Sequence, residues 1–281
     1  MFDMNRKITT FIGDLSSLTS GSGMFYFCEK LTTFTSELSS LTNGSDMFYE
    51  CSELINFNCN NLSSLTNGLN MFRNCRSLTT FTSNLSSLTN GSNMFQNCSL
   101  TTFTSNLSSL TDGSNMFQNC SLTTFTSNLS SLTDGISMFM SCKLDTDSVK
   151  NIAETIKTVT NKPIITIGIG NTTPNANETA ALNTIANKGW TVYVNGSKYT
   201  PTSTASIMTL DELGNEVETP IPFYAKPVPS DEDHGDYIDS EGNYYNILGA
   251  QFIYGDDLST YGMFTCEEDA AANMRLTKIE K

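Results

Sequence analysis

Six cysteines recur at a nearly fixed interval and are the residues of this chain with the clearest chemical potential. Each ends a Met-Phe-x-x-Cys segment, and they occupy one equivalent position per repeat: Cys28, Cys51, Cys75, Cys98, Cys120 and Cys142. Such thiols could form disulfides, bind zinc or stay reduced. Zinc sites need local pairs such as Cys-x-x-Cys, which are absent here, and neither Cys59 nor Cys266 supplies one. Equivalent repeat positions hold their side chains parallel, which is poor disulfide geometry, so we expect buried, reduced thiols.

The single histidine lies in an acidic segment near the C-terminus. It is His234, and its neighbours include Asp231, Asp233, Asp236 and Asp239. A lone histidine lacks the partners that a catalytic site needs. The aspartates do not follow the spacing of a calcium-binding loop, and no hydrolase, zinc-protease, P-loop or dinucleotide-binding motif occurs in the sequence. We therefore expect no enzyme, no cofactor and no metal site.

The cysteines belong to a longer repeat that covers residues 1–144. Its template is L-T-T-F-T-S-x-L-S-S-L-T-N/D-G-S-x-M-F-x-x-C, and a degenerate last unit opens at Leu144. Repeats of this length bury their apolar positions only by stacking, so each should form one coil of a solenoid. Thr and Phe in LTTFTS favour a short strand, and Asn-Gly or Asp-Gly favours a turn with positive φ. The Met-Phe-x-x-Cys segment should cross the far side of the coil.

Stacking makes each template position a row of equivalent side chains. The phenylalanine of LTTFTS should point inward with the cysteine and form a structural ladder at Phe34, Phe57, Phe81, Phe103 and Phe125. The threonines beside it should point outward and form a candidate binding face: Thr33, Thr35, Thr80, Thr82, Thr102, Thr104, Thr124 and Thr126. Asn56 and Asn58 interrupt this face. A regular threonine row also occurs in some ice-binding solenoids, which is a minor alternative.

The sequence pattern MFxxCxxLTTFTS resembles the BspA-like leucine-rich-repeat surface proteins. Their repeats carry Met-Phe or Ala-Phe, two residues, Cys, two residues and Leu before a short strand. The resemblance covers residues 1–144 and implies an α/β leucine-rich-repeat solenoid with short strands and a mostly irregular, turn-rich convex side. It also implies adhesion or binding at a surface. Similar arrays, closed by segments like KGWTVYVNG, are found in gut bacterial and phage reading frames.

Two helical repeats should close the array over residues 145–197. The pattern predicts a helix with Asp147 as its N-cap, followed by a buried strand over 164–169. A second helix should follow the capping-box-like Asn175-x-x-Glu178 and end at Gly189, before another strand.

The composition changes beyond these repeats. Five of the seven prolines lie in 198–230, which predicts an extended connector. Residues 231–281 should form a small acidic α+β module, with a hairpin of GNYYNI and AQFIYG and a closing helix over CEEDAAANMRL. Residues 200–281 carry 16 acidic and 4 basic residues, so most of the net charge of −14 lies here.

Charge and hydropathy exclude several functional classes. The chain has no basic patch with which to neutralise phosphates, so we expect no nucleic-acid binding. No apolar run reaches the roughly 18 residues of a membrane span, and the first residues contain no signal-peptide core, so we expect no membrane insertion.

These features favour a non-catalytic, surface-displayed scaffold for adhesion or protein–protein attachment. Reduced thiols, no visible signal peptide and a first repeat that begins in mid-unit, with Asn5 at the cysteine position, indicate a phage virion component such as a fibre or decoration protein. The alternative is a bacterial BspA-like cell-surface adhesin whose leader has been removed. We expect a protein partner or a second copy at the N-terminal end of the solenoid or at the acidic module. A host surface protein or glycan is a further candidate ligand.

Overall fold

The chain divides into two units, residues 1–201 and residues 202–281. A computed structural model describes residues 2–201 in full and, within the second unit, only the backbone of the strands. The first unit contains the repeats and two helices, and it carries the surfaces considered below.

Short parallel strands mark the LTTFTS segments of the first unit. They are β1 (Thr10–Ile12), β2 (Thr33–Thr35) and β3 (Asn56–Asn58) in one sheet, and β4 (Thr102–Phe103) and β5 (Thr124–Phe125) in another. The register places Phe11 beside Phe34 and Phe34 beside Phe57. Equivalent residues are therefore neighbours one repeat apart, which is the pairing that stacked repeats require. The fourth repeat has no strand over residues 79–83.

The Asn-Gly and Asp-Gly dipeptides form a second parallel row. Asn67 bridges Asn43 on one side and Asn90 on the other, and the row continues to Asp112 and Asp134. Neither member of these dipeptides has a positive φ, so the predicted reason for them is wrong. The Asn or Asp Oδ1 instead accepts the backbone N–H two residues later, as an Asx turn does. The glycine is buried, and a side chain at Gly44 would meet the sulfur of Met71 at 2.7 Å, so close packing requires glycine there.

The Met-Phe-x-x-Cys segments form a ladder of turns, which we call the turn side of the array. Alternate N–H groups donate to the next repeat: Phe95 to the Met116 carbonyl and Asn97 to the Gln118 carbonyl, both at 2.9 Å. The intervening N–H groups donate back within their own turn. Two residues in each repeat take positive φ, for example Asn93 at 55° and Asn97 at 60°. Asn and Asp fill most of these positions because they tolerate the left-handed region.

The last Met-Phe-x-x-Cys copy lies in an extended strand instead of a turn. This strand, β6, pairs in parallel with β7, β7 pairs in parallel with β8, and β8 pairs with β9 in antiparallel fashion. Their bounds are Gly135–Leu144, Ile164–Ile169, Thr191–Val194 and Ser197–Lys198. β6 keeps positive φ at Ser137 and Ser141 and shifts register twice against β7. The turn side therefore continues into the four-stranded sheet, although the pairing of β6 with β7 is irregular.

Two helices take the place of the strands in the closing repeats. They are α1 (Thr146–Thr155) and α2 (Ala176–Asn187). Ser148 Oγ accepts the Phe125 N–H at 2.8 Å, so α1 lies where the strand of a seventh repeat would pair with β5. The N-cap of α1 is Asp145, which accepts the Ser148 N–H; the predicted N-cap, Asp147, lies inside the helix. The capping box between Asn175 and Glu178 is confirmed.

The second unit contains antiparallel strands. β10 (Ser206–Leu210) pairs with β11 (Glu216–Pro220), and a further sheet has the order β12, β14, β13, β15, with bounds Tyr224–Pro227, Tyr244–Leu248, Tyr237–Ile238 and Thr277–Lys278. The GNYYNI segment therefore pairs with strands that precede it, β12 and β13. The predicted AQFIYG strand and CEEDAAANMRL helix lie outside the described residues. The connector predicted over 198–230 contains β10, β11 and β12.

The apolar template positions fill the interior of the first unit. In the fifth repeat Leu107, Leu110 and Phe117 are fully buried, as are their equivalents in neighbouring repeats. Phenylalanines from strands and turns form two adjacent rows. Rings stack within a row, as between Phe95 and Phe117 with centroids 5.7 Å apart, and meet edge-on between rows, as between Phe103 and Phe117 at 4.7 Å. Both arrangements are favourable for aromatic pairs, so the core is continuous along the array.

Candidate functional site on the surface of the repeats

The structure places the proposed ladder residues in the interior. Phe34, Phe81, Phe103 and Phe125 are buried, and Phe57 is half-buried. The six repeat cysteines are also buried: Cys28, Cys51, Cys75, Cys98, Cys120 and Cys142. These side chains support the framework and are not part of its surface.

Each thiol is held by a carbonyl group of an earlier repeat. Cys98 Sγ donates to the Phe72 carbonyl oxygen at 3.1 Å, and Cys120 Sγ donates to that of Phe95 at 3.0 Å. Burial raises the pKa of each thiol, to about 12 for Cys120. All cysteines in the described part of the chain are free, including Cys59, and no cluster of three potential metal ligands occurs in that part. Because the thiolate is the reactive form, these sulfurs offer no nucleophile to solvent.

The proposed threonine face is exposed but uneven. Thr80, Thr82, Thr102, Thr104 and Thr126 are exposed, whereas Thr33, Thr35 and Thr124 are half-buried. The side-chain amides of Asn56 and Asn58 donate to the hydroxyls of Thr33 and Thr35 at 3.3 and 3.0 Å. The fourth repeat carries its two threonines without a strand. The face therefore lacks a continuous flat row of free hydroxyls.

A row of large side chains on the turn side was missed by sequence reasoning. Its members occupy the first x of Met-Phe-x-x-Cys, and we call them the turn row: Asp3, Tyr26, Tyr49, Arg73, Gln96, Gln118 and Met140. The Tyr26 and Tyr49 rings stack with centroids 5.1 Å apart, and the Arg73 guanidinium lies 5.7 Å from the Tyr49 centroid. Gln96 donates to Gln118, which donates to Met140 Sδ at 3.3 Å. The sequence does contain a signal for this row, because the residue type varies at this position while the rest of the template is nearly constant.

A shallow depression lies beside Tyr26 in this row. It has a volume of about 340 Å³ and is lined by Asp3, Ser22, Gly23, Tyr26 and Asp46. Desolvation raises the pKa of Tyr26, and the neighbouring Tyr49 and the charges of Asp46, Asp3 and Glu50 raise it further. The depression therefore combines an aromatic ring with a negative potential.

The N-terminal end of the array exposes apolar side chains. Met4 and Ile12 are 63% and 76% exposed, while Phe2 stacks on Phe25 at 5.2 Å. Asn5, at the cysteine position, accepts the Lys7 N–H through Oδ1 at 3.0 Å and so closes the turn. Docking of a partner or a second copy at this end stays a prediction.

Several other residues singled out in the sequence belong to the part of the chain that the structure does not describe. His234, Asp231, Asp233, Asp236, Asp239 and Cys266 lie outside the described residues, so docking at the acidic module also stays a prediction. Of the helices that the structure describes, none has the length and apolar character to cross a membrane.

Stacked repeats with buried leucines, short parallel strands and a turn-rich side define a leucine-rich-repeat protein. A family model described as the BspA type leucine rich repeat region matches six copies, over residues 1–123 and 63–163. The chain therefore belongs to the BspA-type leucine-rich-repeat family, and the resemblance of its MFxxCxxLTTFTS pattern is confirmed. Repeats of this type are typical of surface-associated scaffolds for adhesion and protein–protein interaction. Neither the curated proteins nor the solved structures gave a match.

Proposed function

We propose that the chain is a non-catalytic solenoid, displayed at a surface, that attaches to a protein partner. The observation that carries this proposal is the contrast between a constant interior and a variable turn row. Inter-repeat hydrogen bonds hold the turns in one geometry, so the turn row is presented on a rigid support. Rigid presentation lowers the entropy lost on binding, which favours a recognition surface over a reactive one.

The chemistry of the described residues supports a non-catalytic role. Glu178 is a buried carboxylate of the first unit, but it accepts hydrogen bonds from Thr146 Oγ1 at 3.1 Å and the Asn175 N–H at 2.9 Å. It serves as the capping residue of α2 and belongs to none of the ion pairs within residues 2–201. The thiols are buried and protonated. These groups stabilise the fold.

The finer assignment that we propose is a virion component, with a bacterial cell-surface adhesin as the alternative. Buried, reduced thiols support folding in a reducing cytoplasm before release, as virion proteins do. An ice-binding role is the less favoured reading, because the threonine face is interrupted at Asn56 and Asn58 and loses its strand in the fourth repeat. The purified protein should show no thermal hysteresis. Measurable thermal hysteresis would favour the ice-binding role over the attachment role.

The location can be tested by mass spectrometry of purified virions and of surface-labelled host cells. Recovery with virions supports the virion assignment, and labelling on intact cells without virions supports the adhesin. Recovery only inside cells would contradict surface display.

The attachment role can be tested by binding of the purified protein to intact cells or virions of the host. The variant Gln96→Ser/Gln118→Ser alters the turn row, and Thr102→Ser/Thr104→Ser alters the strand side as a matched control. We expect the turn-row variant to lose more binding than the control. Binding that is absent in the unaltered protein, or unaffected in the turn-row variant, would contradict the proposed surface.

A further inference from the structure

Tyr26 is the last aromatic member of the turn row toward the N-terminus. Tyr49 covers one side of the Tyr26 ring, and Arg73 covers the far side of Tyr49. The Phe27 ring also meets the Tyr26 ring edge-on, with centroids 4.7 Å apart. The next turn-row member beyond Tyr26 is Asp3, a carboxylate, so the row places neither a ring nor a cation there.

Gly23 creates the space beside this ring. It occupies the residue before Met-Phe, where the following repeats carry Asp46, Asn70 and Asn93. All four residues have φ between 54° and 60°, so their backbones are alike and only the side chain differs. The missing side chain at Gly23 leaves the depression between Tyr26, Asp3 and Asp46.

The carboxylates of this depression have no cation of their own among the described residues. The ion pairs within residues 2–201 are Arg6 with Glu29, Lys30 with Glu53 and Lys150 with Asp147, and they include neither Asp3 nor Asp46. Asp46 accepts a neutral donor, the Asn70 side-chain amide, at 3.0 Å. The lining residues include no basic side chain.

We propose that this depression binds a cationic side chain, arginine or lysine, of a protein partner. The proposal rests on the proposed function, since it names the partner chemistry that one part of the turn row recognises. A cation in the depression beside the Tyr26 ring would be attracted by the ring and by both carboxylates. The chain itself pairs a cation with a tyrosine of the turn row, since the Arg73 guanidinium lies over the Tyr49 ring in the following repeats. A planar guanidinium can stack and donate at the same time, so arginine should bind more tightly than lysine.

A peptide titration followed by NMR of the full chain tests this directly. The probe is acetyl-Gly-Arg-Gly-amide, and the control is the same peptide with citrulline, which keeps the shape and removes the charge. We expect the arginine peptide to shift the resonances of Gly23, Tyr26 and Asp46 at millimolar concentration, and added salt to weaken the effect. Equal affinity for the citrulline peptide, or no shift at these residues, would overturn the proposal.

Gly23→Asn is the most informative variant. Asparagine occupies this position at Asn70 and Asn93 with the same backbone conformation, so the variant should fold while its side chain fills the depression. We expect it to abolish the arginine-dependent shifts. Asp46→Asn also keeps a residue that tolerates positive φ, and we expect it to lower the affinity about two- to fivefold, as loss of one exposed charge interaction does.

Asp134→Asn is the matched control. It removes one carboxylate from the turn region of a distant repeat, at a position where Asn43, Asn67 and Asn90 show that asparagine fits. Its affinity for the peptide should equal that of the unaltered protein. Undiminished binding in Gly23→Asn, or equal losses in Asp46→Asn and Asp134→Asn, would refute a localised site. If the peptide fails while attachment to cells or virions persists, the cation site is wrong and the scaffold function stands.

Discussion

Truncation of Phe103 to alanine tests how the repeats are held together. Its ring is fully buried between the strand and turn rows of phenylalanines. The ring centroid lies 4.7 Å from that of Phe117, 5.7 Å from that of Phe95 and 6.0 Å from that of Phe125. Phe81 stacks on the other side at 6.2 Å, so the substitution removes contacts to four rings at once.

The cost follows from this environment. Loss of a buried phenylalanine ring destabilises a protein by about 3–5 kcal/mol, through lost transfer free energy and the cavity left behind. Each specific ring pair adds about 0.5–1.5 kcal/mol. The coils on both sides are held by backbone hydrogen bonds and collapse poorly into a cavity, so we expect the upper half of that range.

Urea denaturation measures this loss, with Thr104→Ala as the control. Thr104 is the next residue and is exposed, so its truncation should cost less than about 0.5 kcal/mol. Far-UV circular dichroism reports the whole array, and the fluorescence of buried Trp190 reports its C-terminal end. Agreement between the two signals is required before one free energy is assigned, because stacked repeats can unfold in parts. Equal midpoints for the two variants would refute the inward assignment of Phe103.

Three further perturbations probe the thiols, the closing repeats and the turn side. The pKa of Cys120 is raised to about 12 by burial, above the roughly 8.5 of a free thiol, so the native state binds the extra proton in alkali. The free energy that this proton contributes to folding is fully present below roughly pH 8.5, the pKa of a free thiol, and is lost as the pH rises toward about 12. In Cys120→Ala, the free energy of unfolding should therefore fall less steeply with pH in alkali. An unchanged pH dependence would contradict burial of this thiol. Gly189→Ala should destabilise the protein far more than Gly196→Ala. Both glycines have positive φ, but only the methyl group at position 189 would overlap a carbonyl oxygen, that of Val159. Equal melting temperatures for the two variants would contradict this packing. Asn97→Ala should lower the free energy of unfolding by about 1–2 kcal/mol, because alanine is strained at a positive φ and loses the side-chain amide hydrogen bonds to Asn74 and Asn119. Asn97→Gly removes the backbone strain and should therefore cost less. Equal losses for the two variants in chemical denaturation would assign the whole effect to the side-chain hydrogen bonds.

Much of the fold could be predicted because its signals are local or periodic. The regular recurrence of the template predicts stacking, since a single repeat cannot bury its own apolar positions. The capping box at Asn175 and Glu178 joins residues within one helical turn, so the start of α2 was readable from the sequence. The last repeat was less predictable: its Met-Phe-x-x-Cys segment became part of β6 because β7 lies beside it, and that partner comes later in the chain, beyond the whole of α1.

The sequence by itself determined which side chains face inward, because burying two phenylalanines, three leucines, a methionine and a thiol per repeat leaves only one way to orient the template. Only the tertiary structure decided the candidate site. The site is formed by residues of successive repeats, namely Gly23, Tyr26 and Asp46, and the stacking of Tyr26 on Tyr49 also joins two successive repeats. The gap at Gly23 is apparent only by comparison with the equivalent positions of the following repeats, which carry the side chains of Asp46, Asn70 and Asn93. Its recognition chemistry arises from register between repeats, a long-range property that no single repeat contains.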